Sequence, residues 1–425
     1  MTIALLTIGD EICIGQIVNT NAAWMAQACA REGWRVVAHS VVGDELTQII
    51  DEFRRLLGVA DAVLITGGLG PTHDDRTKTA LVEFLNDTLV HHAPTLEHLR
   101  ELFRVRGREI TERNAAQAML PSKCDVLRND KGTAAGMWFT LKAASELNPS
   151  ERDKIMVSMP GVPYEMKHLM EDRVIPRLRE LSANDPVMRY TTLLTTGIAE
   201  STLADLIGDV EEILEGQELA FLPSSSGVKL RITVTEKTRA SADEILLRIE
   251  ERIRKRANRF IYGKDNDSYE ALVGQLLAER GLTVAVAESC TGGLLGVALT
   301  ANAGSSAYFL GGVQCYSNES KIQHCGIQAE TLRQHGAVSE ETARELALGI
   351  RERFGSDIGI AITGIAGPNG GTPEKPVGTI WVAFSDKNGA VDVQKYSVGT
   401  DRTVNRERAV AAALQVLYKN VSSSK

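Results

Sequence analysis

Short apolar runs recur along this chain, and most are followed by a stretch whose apolar residues stand three or four apart. Runs at 2–8, 34–40, 62–66 and 155–159 are bounded by Gly, Pro and acidic residues, as buried strands are. Between them, 20–32 carries Trp24, Met25 and Cys29 at helical spacing, and a second helix is expected from Asp44, as its N-cap, to residue 57. After a long, more irregular section the strand 155–159 leads into a helix that reaches about 181. Such alternation predicts βαβ units around a mainly parallel sheet over 1–182. Residues 183–262 differ. A strand at 190–196, a helix to about 214, a hairpin of 218–222 with 228–236 turning at 224–227, and a helix over 240–258 make a small βαββα unit, similar in outline to a KH module. It has no G-x-x-G clamp at the helix–helix turn, so an RNA surface is not expected there. The basic run 252–259 reads as a solvated helix end.

The polar stretch 263–268 reads as a linker, and 266–422 as a last α/β domain. Its expected elements are helix 268–280, strand 283–287, strand 310–317, helix 319–324 and helix 340–354 capped by Ser339. Strand 358–363, the hairpin 378–385 with 391–398, and a closing helix from Asp401 to about 421 complete it. The expected fold class is α/β throughout: a doubly wound, mainly parallel N-terminal sheet, a small middle domain and a C-terminal α/β domain.

Length agrees with several domains, since 425 residues exceed one ordinary core. Hydrophobic residues make up 43% and charged residues 24%, ordinary values for a globular protein. A net charge of -8 argues against nucleic acid or an anionic membrane as the main partner, but not against a small phosphate ligand. The six cysteines at 13, 29, 124, 290, 315 and 325 form no C-x-x-C pair. A reduced, cytoplasmic protein is expected. The N-terminus opens on a strand pattern without a basic segment or cleavage site, and no apolar run has the length of a membrane helix.

The candidate chemistry centres on Ala287-Glu-Ser-Cys-Thr-Gly-Gly293, where a strand turns into a helix. Such turns lie at the ligand-binding end of open α/β sheets. The Ser289 hydroxyl could attack a carbonyl there, with the amides of Thr291, Gly292 and Gly293 as oxyanion or phosphate donors. The competing reading is that Glu288 and Ser289 only cap the helix.

Four C-terminal segments are found together: Ala287–Gly293, Tyr316-Ser-Asn-Glu-Ser-Lys321, Thr363-Gly-Ile-Ala-Gly-Pro368 and Gly399-Thr-Asp-Arg402. The N-terminal half carries Gly9-Asp-Glu11, Gln16-Ile-Val-Asn-Thr-Asn21, Gly67-Gly-Leu-Gly-Pro-Thr-His-Asp-Asp75 and Pro160-Gly-Val-Pro163. With these motifs nearly the whole chain resembles the CinA family. The resemblance implies a C-terminal nicotinamide mononucleotide deamidase, an amidohydrolase without a cofactor. It also implies an N-terminal domain like those that bind molybdenum cofactor, with ADP-ribose pyrophosphatase activity. The expected role is pyridine nucleotide salvage, and a homodimer is the expected assembly. Thr133-Ala-Ala-Gly136 departs from the family pattern, which usually has Pro at the place of Ala135.

For the amide chemistry, Ser289 needs a base, and no His stands in a comparable turn; His324 and His335 lie on helix-like or loop segments. Lys321 serves if burial lowers its pKa. Tyr316 could relay the proton or hold the amide, and the resemblance implies this Ser–Tyr–Lys set. Cys290 is the alternative nucleophile. Thr363, Gly364 and Arg402 are the expected substrate-phosphate ligands, with Arg406 as a structural neighbour. In the N-terminal half, Gly67, Gly68, Gly70 and Thr72, with Asn19, are expected to bind substrate. Asp10, Glu11, Asp74 and Asp75 are expected to hold Mg²⁺ or a similar divalent metal. Two alternatives stand beside this. The N-terminal domain could be a non-catalytic nucleotide or pterin module, or the protein an interaction factor of competence or DNA repair, against which the acidic balance speaks.

Overall fold

The structure, a computed structural model, describes residues 1–72, 75–224 and 227–423. It divides into two compact units, 1–190 with 233–247 and 191–232 with 248–425, so the expected middle segment 183–262 is shared between them.

The N-terminal sheet runs in the order β2-β1-β3-β8-β7-β6. Its strands are β1 (Thr2–Ile8), β2 (Arg35–Val42), β3 (Ala62–Thr66), β6 (Asp125–Leu127), β7 (Gly136–Leu141) and β8 (Lys154–Met159); β4 (Leu89–His91) and β5 (Met119–Pro121) pair apart from it. β2, β1, β3 and β8 are parallel, and β7 and β6 add an antiparallel edge. Alternation along β1 sends Ala4, Leu6 and Ile8 into one core with Ile49, Phe53 and Leu56 of the helix Leu46–Val59. Ile3 and Leu5 enter the opposite core with Met25 and Cys29 of the helix Thr20–Glu32. The sheet is covered on both faces, which is why β3 is buried at every position.

Three local expectations change. Glu45, not Asp44, caps the helix Leu46–Val59, its carboxylate accepting from the amides of Thr47 and Gln48. Asp44 is instead drawn to Asp10: each backbone amide donates to the other's carboxylate, at 3.1 and 3.2 Å. The irregular section holds the helix Ala93–Val105 and the short strands β4 to β6. The helical run from Pro163 contains a π turn at Met170–Val174, which ends two residues before Pro176, a residue that lacks the N–H for a regular α-helical bond.

The middle sheet, β10-β11-β9-β12, contains β9 (Val187–Thr195), β10 (Glu218–Ser224), β11 (Gly227–Glu236) and β12 (Ile261–Lys264). β12 pairs antiparallel with β9, so the stretch expected to begin a linker at 263 is still strand. Part of the hairpin turn, 225–226, lies outside the described residues. In the basic helix end, Arg252 pairs with Glu215 and Arg254 with Glu250.

The C-terminal sheet is β14-β13-β15-β16-β17, with β13 (Val284–Glu288), β14 (Phe309–Gln314), β15 (Ile358–Gly364), β16 (Thr379–Asp386) and β17 (Val391–Ser397). β13 lies between two parallel neighbours. The chain leaves β13 for β14 on one side and then crosses to β15 on the other. The carboxyl end of β13 is therefore a topological switch point, where open α/β sheets form a crevice. Ser289 is the first residue beyond it.

Candidate functional site

The turn after β13 separates the two readings of its acidic and hydroxyl residues. Glu288, 2% exposed, accepts hydrogen bonds from the amides of Gly293, Leu295 and Gly296 at 3.1, 3.0 and 2.8 Å. It caps the helix Leu294–Thr300 and satisfies its first free N–H groups. Ser289 does not cap. Its amide donates to Ile362 O of β15, and its Oγ faces Lys321 Nζ at 3.3 Å. The amide of Gly292 is also engaged, by Ser289 O at 3.2 Å. Of the donors expected for an oxyanion, Gly292 and Gly293 therefore already have acceptors inside the turn. The amides of Cys290 and Thr291 have no backbone acceptor among the described residues. Sequence reasoning missed Cys290 as a donor, because only the folded turn shows which N–H groups Glu288 occupies.

Lys321 is 1% exposed, one of the largest fully buried side chains. It lies on the helix Asn318–Cys325, capped by Ser317, whose side chain accepts from Ser320 N. Leaving β14 at Gln314 turns the carbonyls of Cys315 and Tyr316 toward Nζ, at 2.9 and 3.1 Å. Burial lowers the pKa of the amine from its ordinary value, more than the neighbouring groups raise it. Nζ lies within donating reach of three oxygens; in the neutral form two N–H bonds can serve the two carbonyls, which leaves the lone pair for the Ser289 hydroxyl proton.

Tyr316 enters this arrangement through its main chain. Its ring is 63% exposed, and its hydroxyl accepts from Arg402 at 3.4 Å. Arg402 also donates to Gly367 O at 2.8 Å, at the start of the helix Arg402–Ser423. Arg406, one turn on, donates to Thr291 O at 2.8 Å, which ties this helix to the Ser289 turn. Thr363 is buried at the end of β15 with its hydroxyl donated to Ala337 O at 2.6 Å. At Gly364 a side chain would strike Ile380 and Thr379 O, so this glycine is required by close packing. Burial pushes the Cys290 thiol up to about 11, which leaves little thiolate at neutral pH. All six cysteines are free thiols.

The N-terminal candidates gather at the carboxyl ends of β1, β3 and β8. A cavity of about 380 Å³ lies there, lined among others by Glu11, Asp44, Gly67, Gly68, Gly70 and Asp75. Gly67 has φ 106 and a Cβ there would meet Ile8 O, so the turn can pass this close to β1 only as glycine. Thr77 locks the turn from below, donating its hydroxyl to Gly67 O at 2.8 Å. Thr72 and Asp75 hold each other: Gly70 N, Thr72 N and Thr72 Oγ1 all donate to the Asp75 carboxylate, at 2.7, 2.9 and 2.5 Å. Asn19 caps the helix Thr20–Glu32 and donates to Thr7 at 3.0 Å. Asp74 lies outside the described residues. Among the described residues no three His, Cys, Asp or Glu side chains converge to hold a metal ion. A cation here would have to share one or two carboxylates with phosphate oxygens of a substrate, as Mg²⁺ commonly does.

Comparison with known proteins matches three segments of the chain to family profiles. The profile described as "CinA C-terminal domain" matches residues 266–421. "Probable molybdopterin binding domain" matches 4–180, and "Damage-inducible protein CinA KH domain" matches 190–263. A CinA-like protein of Gemmatimonas aurantiaca is 43% identical over 421 residues, covering 99% of this chain and 96% of its own. The chain belongs to the CinA family. A second CinA-like protein, of Salinibacter ruber, is 40% identical and covers 99% of this chain and all of its own. Among solved structures, the competence/damage inducible protein of Agrobacterium tumefaciens is 38% identical over 37% of this chain and 98% of its own, with a TM-score of 0.35. Among the described residues no helix is long and apolar enough to cross a membrane.

Proposed function

We propose that the C-terminal domain hydrolyses the carboxamide of nicotinamide mononucleotide, releasing ammonia and nicotinate mononucleotide. The observation that carries this reading is the Ser289 hydroxyl 3.3 Å from a lysine amine that is almost completely buried. In the reading, neutral Lys321 takes the Ser289 proton as Oγ attacks the carboxamide carbon. The amides of Cys290 and Thr291 receive the negative charge that develops on the carbonyl oxygen. The ammonium of Lys321 then returns its proton to the leaving nitrogen, and water releases the acid from Ser289 by the reverse sequence. Arg402, beside the exposed Tyr316 ring, supplies positive charge for the substrate phosphate. Ammonia release from nicotinamide mononucleotide by the full chain tests the reading. Release with a linked appearance of the acid product supports it, and an inert, folded protein refutes it.

The N-terminal cavity favours a second reading, cleavage of the ADP-ribose pyrophosphate, because its glycine turn and its acids share one pocket at a switch point. Glu11 and Asp44 would hold a divalent cation together with substrate oxygens. When bound, that cation neutralises charge on the bond being broken. Gly67 and Gly68 pack their turn against Ile8 and Thr77, and the backbone of that turn borders the pocket in which the phosphates would lie. AMP release from ADP-ribose should require added Mg²⁺ and be lost in Glu11→Gln. Metal-independent release, or release unchanged in the variant, would refute this second reading.

A further inference from the structure

The cavity at the end of β1, β3 and β8 contains a side chain that the N-terminal reading leaves unused. Gln117 lies in the single helical turn Ala116–Ala118, is 3% exposed and lines the cavity with the glycine-rich turn. Among the described residues neither its amide nitrogen nor its amide oxygen has a hydrogen-bond partner. An unpaired buried polar group is strongly unfavourable, so an amide with both ends free must gain its partners from something that enters.

Its position is fixed, not incidental. The backbone oxygen of Gln117 accepts from Lys78 Nζ at 3.4 Å. Lys78 lies on the helix Thr77–Phe84, whose first residue locks Gly67 and Gly68 in place. The glycine turn and the segment that bears the free amide are thus linked through the helix that carries Thr77 and Lys78. Thr133 and Ala134, from the segment before β7, line the same space. The cavity volume of about 380 Å³ has room for a ring as well as phosphate groups.

We propose that Gln117 is a specificity-determining residue of the N-terminal cavity. It reads the edge of a heterocyclic ring that offers one hydrogen-bond donor beside one acceptor, on a ligand whose phosphates approach the Gly67–Gly68 turn. This rests on the N-terminal domain being a nucleotide site, and it goes further by naming the feature of the base that is recognised. A side-chain amide presents an acceptor and a donor side by side, so it pairs with the amidine edge of adenine in one orientation and with a lactam edge in the other. A ring that lacks the donor leaves the amide oxygen unpaired, and the site should reject it.

The test is calorimetric titration of the full chain, with Mg²⁺ present, using ADP and purine riboside 5′-diphosphate, which lacks the exocyclic amino group. Wild-type protein should bind ADP at least about tenfold more tightly than the purine analogue. Gln117→Leu keeps the size and removes both polar atoms. It should weaken ADP binding about tenfold or more and abolish the preference, while its thermal transition stays level or rises, since an unpaired buried amide has been removed. If Gln117 serves only to hold a buried water or the local turn, Gln117→Leu will unfold earlier and still prefer ADP. That outcome overturns the inference and leaves the nucleotide reading intact. If wild-type protein binds neither compound, the nucleotide reading fails and the inference falls with it.

Discussion

Replacing Ser289 by Ala separates the proposed nucleophile from the helix cap, because the cap is made by Glu288, the residue before it. The Ser289 side chain makes one hydrogen bond, to Lys321 Nζ at 3.3 Å, and takes no part in capping the helix Leu294–Thr300. Loss of one such bond costs about 0.5–1.5 kcal/mol. In a domain of this size that shifts the thermal midpoint by about 2–4 °C per kcal/mol. Glu288→Ala removes a carboxylate that accepts from three backbone amides. Hydrogen bonds to a charged group contribute about 1.5–3 kcal/mol each, so even after partial rehydration the variant should lose about 3 kcal/mol or more. The expected order of stability is wild type, then Ser289→Ala close below it, then Glu288→Ala well below. Turnover should follow a different order. Without the attacking oxygen, ammonia release should fall about 10⁴–10⁶-fold, as it does when an enzyme loses its nucleophile. Single-turnover ammonia release at saturating nicotinamide mononucleotide, on protein whose thermal transition has been recorded, measures both. A folded Ser289→Ala protein that turns over near the wild-type rate would refute the mechanism. A Ser289→Ala transition as low as that of Glu288→Ala would refute the division of roles.

The buried Lys321 amine sets the pH dependence: with its pKa below 10.5, kcat/KM should rise with pH and level off before 10.5, and Lys321→Arg should lose both the rise and the activity. The same shift has a sign for stability. The unfolded chain holds the Lys321 proton more tightly, so between the depressed folded pKa and 10.5 this group's contribution to stability improves as pH rises. Relative to Lys321→Met, wild-type protein should therefore gain in thermal midpoint as pH rises through that window, and a flat difference would count against burial as the cause. Cys290→Ala should keep its ammonia-release rate within about tenfold while losing about 1 kcal/mol from a core position, because only the backbone amide is asked to act. A loss comparable to that of Ser289→Ala would instead make the thiol the nucleophile. The fragment 266–425 should keep deamidation but melt earlier than the same domain in the full chain. Cutting there removes Tyr262, whose ring packs edge-on against Tyr269 at 4.6 Å, a pair contributing about 0.5–1.5 kcal/mol; an inactive fragment would mean that residues before 266 complete the site.

The alternation of apolar runs with helical spacing determined the fold class, the mainly parallel arrangement of the N-terminal sheet and the placement of the turns after β1, β3 and β13. These follow from local chemistry: period, glycine where φ is positive, and caps such as Ser339, which accepts from Thr342 as expected. The candidate residues Ser289 and Lys321 were legible as types in a pattern, but 32 positions separate them in the chain. Only the pairing of β13 with β14 brings them to 3.3 Å, and only the surrounding core buries the amine enough to lower its pKa. Which of Glu288 and Ser289 caps the helix was open in the sequence, since both side chains can accept from an amide. The longer reach of Glu288 and the direction of the turn decided it. Asp75 serves its own loop through bonds three and five residues back, whereas long-range packing decided that Asp10 joins Asp44. It also left Gln117, an ordinary residue in an irregular segment, with a free amide beside the glycine turn. Periodicity reports how each segment meets the core, whereas a site depends on which segments meet one another, and that is settled by the tertiary fold.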